Sequence, residues 1–293
     1  MSALTTIRHQ LSRAVPAPHP LSSKDTGRAV GQVEPTRRRV ARTAAIAIAV
    51  GVFVLPLIPV AVWAVADRWS YPAVVPSVWG LSGARAAWDQ GIGTSAVQSL
   101  SLGVLVSALA TPLGALAGRA LALHRVRGRA FVTLALFAPI AVPPFAVVMG
   151  LATVALHLRI PGVVMLVAAL VTAALPYTTY VMHAAYSRYD SGFDEVARTL
   201  GASGWARLRW VHLPLVEPAL LTAAFLAFLV AWGDYVLTLV LGAGRIVTLQ
   251  QLLGATAAGS GNEPTVAVLA VATAAPAVLM LVFVKGVQRW RQR

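Results

Sequence analysis

A chain of 293 residues that is 58% hydrophobic and only 12% charged lacks the balance of an ordinary soluble domain. Its formal net charge of +14 would suggest nucleic acid in a soluble protein. Here the basic residues sit in the tails and in alternate loops, so membrane topology explains the charge and no nucleic-acid partner is expected. The absence of cysteine excludes disulfides and thiolate metal sites.

Residues 1–43 are polar, interrupted by Pro16, Pro18, Pro20 and Pro35, and carry the basic cluster Arg37, Arg38, Arg39 and Arg42. No apolar period runs through them, which predicts a disordered basic cytoplasmic tail. The cluster suits a topology-setting role, and binding to anionic lipid headgroups is its functional alternative. Residues 44–293 then read as one transmembrane domain. A first span is expected over 44–66, kinked at Pro56 and Pro59. Ala64-Val65-Ala66 resembles a signal-peptidase site, but the apolar run exceeds the roughly 7–15 residues of a signal core, so a span is expected and not a leader.

A hydrophilic loop over 67–94 holds Trp69, Tyr71, Trp79 and Trp88, residues suited to the membrane–water interface. The second span is expected over 95–117, followed by a basic loop with Arg119, His124, Arg125, Arg127 and Arg129. The third, over 131–156, contains Pro139, Pro143 and Pro144 and must bend. A turn at Arg159-Ile160-Pro161-Gly162 leads to the fourth, over 163–185, with Pro176 inside. The fifth is expected over 217–241 and the sixth over 264–285. The fold class is therefore an all-α polytopic membrane protein with six transmembrane helices. Twenty of the 24 lysines and arginines fall in the two tails and in the loops 118–130 and 186–216. That asymmetry puts both termini on the cytoplasmic side of a cell (inner or plasma) membrane.

The longest polar stretch between apolar runs is 190–220, and it is patterned as two short helices. Phe193, Val196, Ala197 and Leu200 recur on one helical face, with Asp194, Glu195 and Arg198 on the other. Asp190 or Ser191 caps the start, and Gly201 stands where a C-cap glycine belongs. Ser203 caps a second helix bearing Trp205, Leu208 and Val211, which Pro214 is expected to end.

Within this stretch Glu195-Val196-Ala197, three residues, Gly201, nine residues and Val211-His212-Leu213-Pro214 follow one another. This closely resembles the cytoplasmic signature of permease subunits of type I ABC importers, with Val196 for alanine and Val211 for isoleucine as mild departures. Outside the signature, Ala138-Pro139 with Val142-Pro143-Pro144, Leu175-Pro176-Tyr177 and Trp232-Gly233-Asp234-Tyr235 resemble the branch serving polyamines, thiamine, ferric iron and aminophosphonates. Carbohydrate permeases share the plan and are the alternative within the family.

The resemblance implies a mechanism. Glu195, Ala197, Gly201, Val211, Leu213 and Pro214 form a coupling loop that docks on an ATP-binding subunit. A second permease, copy or paralogue, completes the path, and an extracytoplasmic binding protein delivers the solute. Closure of the ATP-binding dimer switches the permeases from inward- to outward-facing. The chain itself is not expected to be an enzyme or to hold a cofactor. Its two lysines, Lys24 and Lys285, do not follow Gly-x-x-x-x-Gly, so it lacks the usual phosphate-binding loop. For Glu195 the structural alternative is solvation beside an Asp194–Arg198 pair.

Asp234 is the one carboxylate well inside an apolar run. It is a candidate for the translocation path, with a hydrogen bond to a neighbouring helix or to interfacial water as the alternative. His183 and His212 have no partner at metal-ligand spacing and suit core or interface roles. A secondary transporter or channel, the reading from another class, would carry ionisable residues through the spans, and Asp234 alone is clearly placed there.

Overall fold

The computed structural model describes residues 34–291 apart from Tyr71, His124, Arg125 and Ser191. It divides into two units, residues 1–55 and 56–293. In the first, α1 spans Glu34–Val54. Residues 34–43, assigned by composition to the tail, therefore begin a helix, while 1–33 lie outside the described residues. Ile46, Ile48 and Val52 are exposed, as lipid-facing side chains are.

In the second unit, α2 spans Leu57–Trp63, so the expected first span is interrupted at Pro56. Proline has no N–H to continue the ladder, which accounts for the break there. The loop expected over 67–94 is built rather than irregular. Strand β1 (Ala66–Arg68) pairs antiparallel with β2 (Val78–Trp79), and α3 (Ser82–Asp89) follows. The Asp67 carboxylate accepts the Ser82 N–H at 2.8 Å and so caps α3. The Ser82 side chain and backbone hydrogen bonds hold the Asp67 carboxyl below its ordinary value.

Helix α4 spans Ile92–Leu123 and carries Arg119, which was expected in the following loop. The third apolar run is two helices, α5 (Arg129–Ala141) and α6 (Pro144–His157), bent by 93° at the predicted prolines. Helix α7 is Gly162–Tyr186, one residue longer at each end than expected. Helices α8 (Gly192–Thr199) and α9 (Gly204–Arg207) occupy the polar segment. A π-turn (Leu208–His212) joins α9 directly to α10 (Leu213–Trp232). Helix α11 (Val236–Gly242) completes the fifth apolar run, and α12 (Leu249–Ala257) and α13 (Glu263–Arg291) close the chain.

Among the described residues, the helical stretches Ile92–Leu123, Gly162–Tyr186 and Gly204–Trp232 are long and apolar enough to cross a membrane. The bent pair α5–α6 adds a fourth if it crosses as one span. The chain is thus a largely helical membrane protein, with fewer uninterrupted spans than the six expected from hydropathy. Three of the apolar runs fail as single helices because proline or glycine divides them. Trp232 ends α10, and Gly233 to Tyr235 separate it from α11.

The core lies where α4, α7 and α10 meet. Leu102, Val106 and Ala110 of α4 pack with Leu166, Leu170 and Ala174 of α7 and with Ala227 and Ala231 of α10. Van der Waals fit and hydrogen bonds must hold helices together in lipid, so small residues mark the crossings. A Cβ on Gly118 would stand 2.6 Å from the His183 backbone nitrogen and 2.9 Å from the Met182 carbonyl carbon. Gly114 lies equally close to Thr178, and Gly103 sits against the Phe228 ring. Polar side chains add ties across the bundle. Ser107 donates to the Ala224 carbonyl at 2.8 Å, and the Trp232 indole donates to the Thr273 carbonyl at 2.8 Å. Gln98 and Ser99 of α4 accept the Val247 and Leu249 N–H groups, fixing the entry to α12.

Candidate functional site

The signature segment begins at an Asx turn, where the Asp190 carboxylate accepts the Gly192 N–H at 2.8 Å. Of the two expected caps, Asp190 is thus the observed one, while Ser191 lies outside the described residues. Helix α8 then ends in a Schellman motif. The Ala202 N–H bonds the Ala197 carbonyl at 3.0 Å, and the Gly201 N–H bonds the Arg198 carbonyl at 3.0 Å. Gly201 has φ +82°, a conformation that side chains with a Cβ resist, and no atom crowds it. The glycine is there for its backbone. The Ser203 hydroxyl accepts the Ala206 N–H at 3.2 Å and caps α9 as expected.

Pro214 does not end the second helix. It occupies the first turn of α10, directly after the π-turn. The wider turn bonds the Leu213 N–H to the Leu208 carbonyl five residues back. A proline entering next removes a donor, and the loosened turn gives its ring room. The signature's Leu213-Pro214 therefore marks the register where an exposed helix passes into a membrane span, not a stop.

Side chains fix this arrangement through contacts that linear spacing did not disclose. Asp194 pairs with Arg207 at 3.4 Å, bridging α8 and α9, and not with Arg198 as the structural alternative for Glu195 had it. Half-exposed as it is, this pair contributes a few tenths of a kcal/mol. His212 stacks on Tyr186 with ring centres 5.5 Å apart, and its Nε2 lies 3.0 Å from the Tyr186 hydroxyl. Tyr189 closes the cluster at 5.2 Å from His212. Burial pushes the Tyr189 phenol up, and the Asp194 charge adds to this. The cluster ties the π-turn to the end of α7, which is an interface role for His212. The aromatic spacing in sequence is irregular, so only the tertiary contact reveals it.

Glu195 is exposed on the first turn of α8 and has no hydrogen-bond or ion-pair partner among the described residues. The apolar residues on either side of it are also turned outward: Phe193, Val196 and Leu200 on α8, then Trp205 and Trp210 beyond the Gly201 turn. Ala197 and Val211 are half-buried, and Leu213 and Pro214 are exposed. The segment presents an acid set in apolar surface, on a scaffold fixed by its own caps.

Asp234 stands elsewhere, at the break between α10 and α11, and not within a continuous helix. Its Oδ2 accepts both the N–H and the hydroxyl of Thr238 at 2.8 Å, and its Oδ1 accepts the Leu237 N–H at 3.3 Å. The acid thus caps the helix that follows it, a local role that the sequence reading did not include. Asp234→Ala is expected to lose about 1 kcal/mol of stability, read as a lowered melting temperature in detergent. Asp234→Asn keeps one acceptor oxygen and should recover most of it. Among the described residues, no group of three or more His, Cys, Asp or Glu could hold a metal ion.

Residues 110–293 match the model of a family described as the binding-protein-dependent transport system inner membrane component. The spermidine/putrescine transport system permease protein PotC of Haemophilus influenzae is 33% identical over 147 residues, 49% of this chain and 56% of that protein. The trehalose transport system permease protein SugB of Mycobacterium tuberculosis is 28% identical, over 58% of this chain and 63% of that one. The chain thus spans little more than half the length of these relatives. A putative 2-aminoethylphosphonate transport system permease protein, PhnV of Salmonella choleraesuis, is 25% identical over 81% of this chain and 90% of its own. A solved bacterial ABC transporter involved in import of the acidic polysaccharide alginate superposes with a TM-score of 0.65, over 89% of this chain and 98% of that one. At 18% identity that likeness shows a shared fold. The signature, the helical membrane fold and the family match agree, and the chain belongs to the binding-protein-dependent transport system inner membrane components, the permeases of ABC transporters.

Proposed function

We propose that this chain is a permease subunit of an ATP-driven importer, with the Glu195 segment as its docking surface for the ATP-binding subunit. The observation that carries the reading is Glu195 itself, unpartnered and framed by exposed Phe193, Val196 and Leu200 on a rigidly capped helix. Such a surface suits burial in a partner's cleft, where an acid finds a basic counterpart. Glu195 and the adjoining apolar residues make the contact. Ala197, Gly201, Val211, Leu213 and Pro214 shape the backbone that presents them. ATP hydrolysis belongs to the separate subunit.

In this arrangement the chain crosses the membrane six times, with the 1–43 tail, the C-terminus and the docking segment in the cytoplasm. The interrupted runs α1–α2, α5–α6 and α10–α11 each count as one crossing. A second permease completes the path, and an extracytoplasmic binding protein supplies a small solute. The relatives' names point to polyamines, aminophosphonates or a disaccharide, and a small charged organic solute agrees best with two of those three. Asp234 lies beside the path, where its cap fixes the α10–α11 break. If Asp234→Asn melts like wild type yet lowers uptake, the carboxylate charge itself faces the path.

The test is co-expression with a candidate ATP-binding subunit from the same genome, followed by purification from membranes through a tag on this chain. Recovery of the ATPase in stoichiometric amount, with hydrolysis stimulated by solute-loaded binding protein, supports the importer. Solute flux by the chain alone, without any ATPase, would replace it with a secondary transporter or channel.

A further inference from the structure

A cavity of about 300 Å³ lies between α4, α5 and α7, away from both the docking segment and Asp234. One end is polar. There the Arg129 guanidinium lies 3.1 Å from His183 Nε2. A guanidinium only donates, so the imidazole accepts and brings no negative charge. Among the described residues no carboxylate forms an ion pair with Arg129. Beside it, Thr179 lines the cavity and is 1% exposed, yet its hydroxyl has no hydrogen-bond partner among the described residues. The adjacent Thr178 hydroxyl takes the carbonyl of Leu175, four residues before Thr179, which a helical threonine commonly uses. Orphaned buried hydroxyls are unusual and invite a ligand acceptor. Arg129 also opens α5, whose capping residue Gly128 offers no side chain to the first N–H groups.

The other end is apolar. Phe137 and Leu121 line it, and Phe131 and Leu134 continue outward along exposed α5. A cation, a spare hydroxyl donor and free helix N–H groups at one end, with hydrocarbon at the other, match an amphiphile with an anionic head. We propose that this cleft binds an anionic phospholipid, with its headgroup phosphate on Arg129 and Thr179 and its acyl chains along α5. The charge pattern of the loops places Arg129 at the cytoplasmic leaflet. The inference stands apart from the docking role of Glu195.

The test is native mass spectrometry of the full chain in detergent with equal amounts of dioleoyl phosphatidylglycerol and dioleoyl phosphatidylcholine. Wild type should retain phosphatidylglycerol roughly fivefold more: both lipids offer a phosphate to Arg129, but the choline cation of phosphatidylcholine cancels that phosphate's charge and is repelled by the guanidinium. Arg129→Gln should bring the two lipids near parity, while Arg129→Lys keeps most of the preference. Arg127→Gln, two residues earlier and exposed in the loop before α5, should change nothing. Thr179→Val removes only the orphaned hydroxyl and should weaken retention several-fold, so the test survives if Arg129→Gln folds poorly. Equal retention of the two lipids by wild type, or an unaltered preference in Arg129→Gln together with unaltered retention in Thr179→Val, overturns the proposal. Displacement of the lipid by inorganic phosphate alone would assign a free-anion site instead. Loss of the preference in the assembled transporter would assign the cleft to a permease–permease contact.

Discussion

Glu195→Ala is expected to abolish recovery of the ATP-binding subunit while leaving the permease's own melting temperature unchanged. The side chain is exposed and has no hydrogen-bond or ion-pair partner among the described residues, so its removal should cost the fold under about 0.5 kcal/mol. Removing one member of a charge pair that is buried only on docking costs about 2–5 kcal/mol, enough to weaken the complex by at least roughly thirtyfold. Gly201 separates shape from charge at the same surface. No atom lies within 4 Å of a Cβ built there, so a substitution is opposed by φ +82° and not by a clash. Gly201→Val should cost about 1–2 kcal/mol locally and misplace α8 against α9. Gly201→Asn, which tolerates the left-handed conformation, should restore most docking. Pull-down with the tagged permease, alongside a melting curve for each variant, reads both effects. Docking by Glu195→Ala at wild-type strength would remove the acid from the proposed interface.

The second large effect is expected at the α4–α7 crossing. Gly118→Val would drive a side chain into the His183 nitrogen and the Met182 carbonyl carbon, both of them backbone atoms. Flexible side chains can move aside, whereas a packed helix backbone moves only as a unit. An overpacked core site loses about 1–3 kcal/mol, and here the displaced helix also carries His183 and the Tyr186–His212 contact. We expect poor recovery of monodisperse protein and a broadened melt. Gly150→Val is the matched control. It lies on α6 with no atom within 4 Å of the built Cβ, and should behave as wild type. Equal behaviour of the two variants would mean that α4 and α7 do not cross as closely as described.

Much of the signature segment was legible before its structure was known, because its signals are local. A periodic apolar face, a serine at an N-cap and a glycine after the last turn act within a few residues, and Phe193 to Leu200, Ser203 and Gly201 perform these roles. Local signals misled where a proline was read alone. Pro214 reads as a stop, yet the π-turn over Leu208–His212 lets the helix run on into α10. Hydropathy likewise located the apolar runs but not their continuity. Pro56, Pro143 and Gly233 divide three of them, and Asp234 turns from a mid-helix charge into a cap.

By itself, the sequence determined the class of the protein, a basic, cysteine-free helical membrane chain, and located the family signature by its spacing of Glu195, Gly201 and Pro214. Composition and short-range periodicity suffice for that, since lipid demands internally bonded helices and caps obey nearest-neighbour geometry. Only the tertiary structure decided which partners residues far apart in the chain would find. Asp194 met Arg207 and not Arg198, His212 met Tyr186, and Arg129 met His183 beside an unpaired Thr179. The first depends on the Gly201 turn between α8 and α9, and the other two on how α4, α5, α7 and α10 cross, which is set by the summed fit of small and large side chains that no single window of sequence contains.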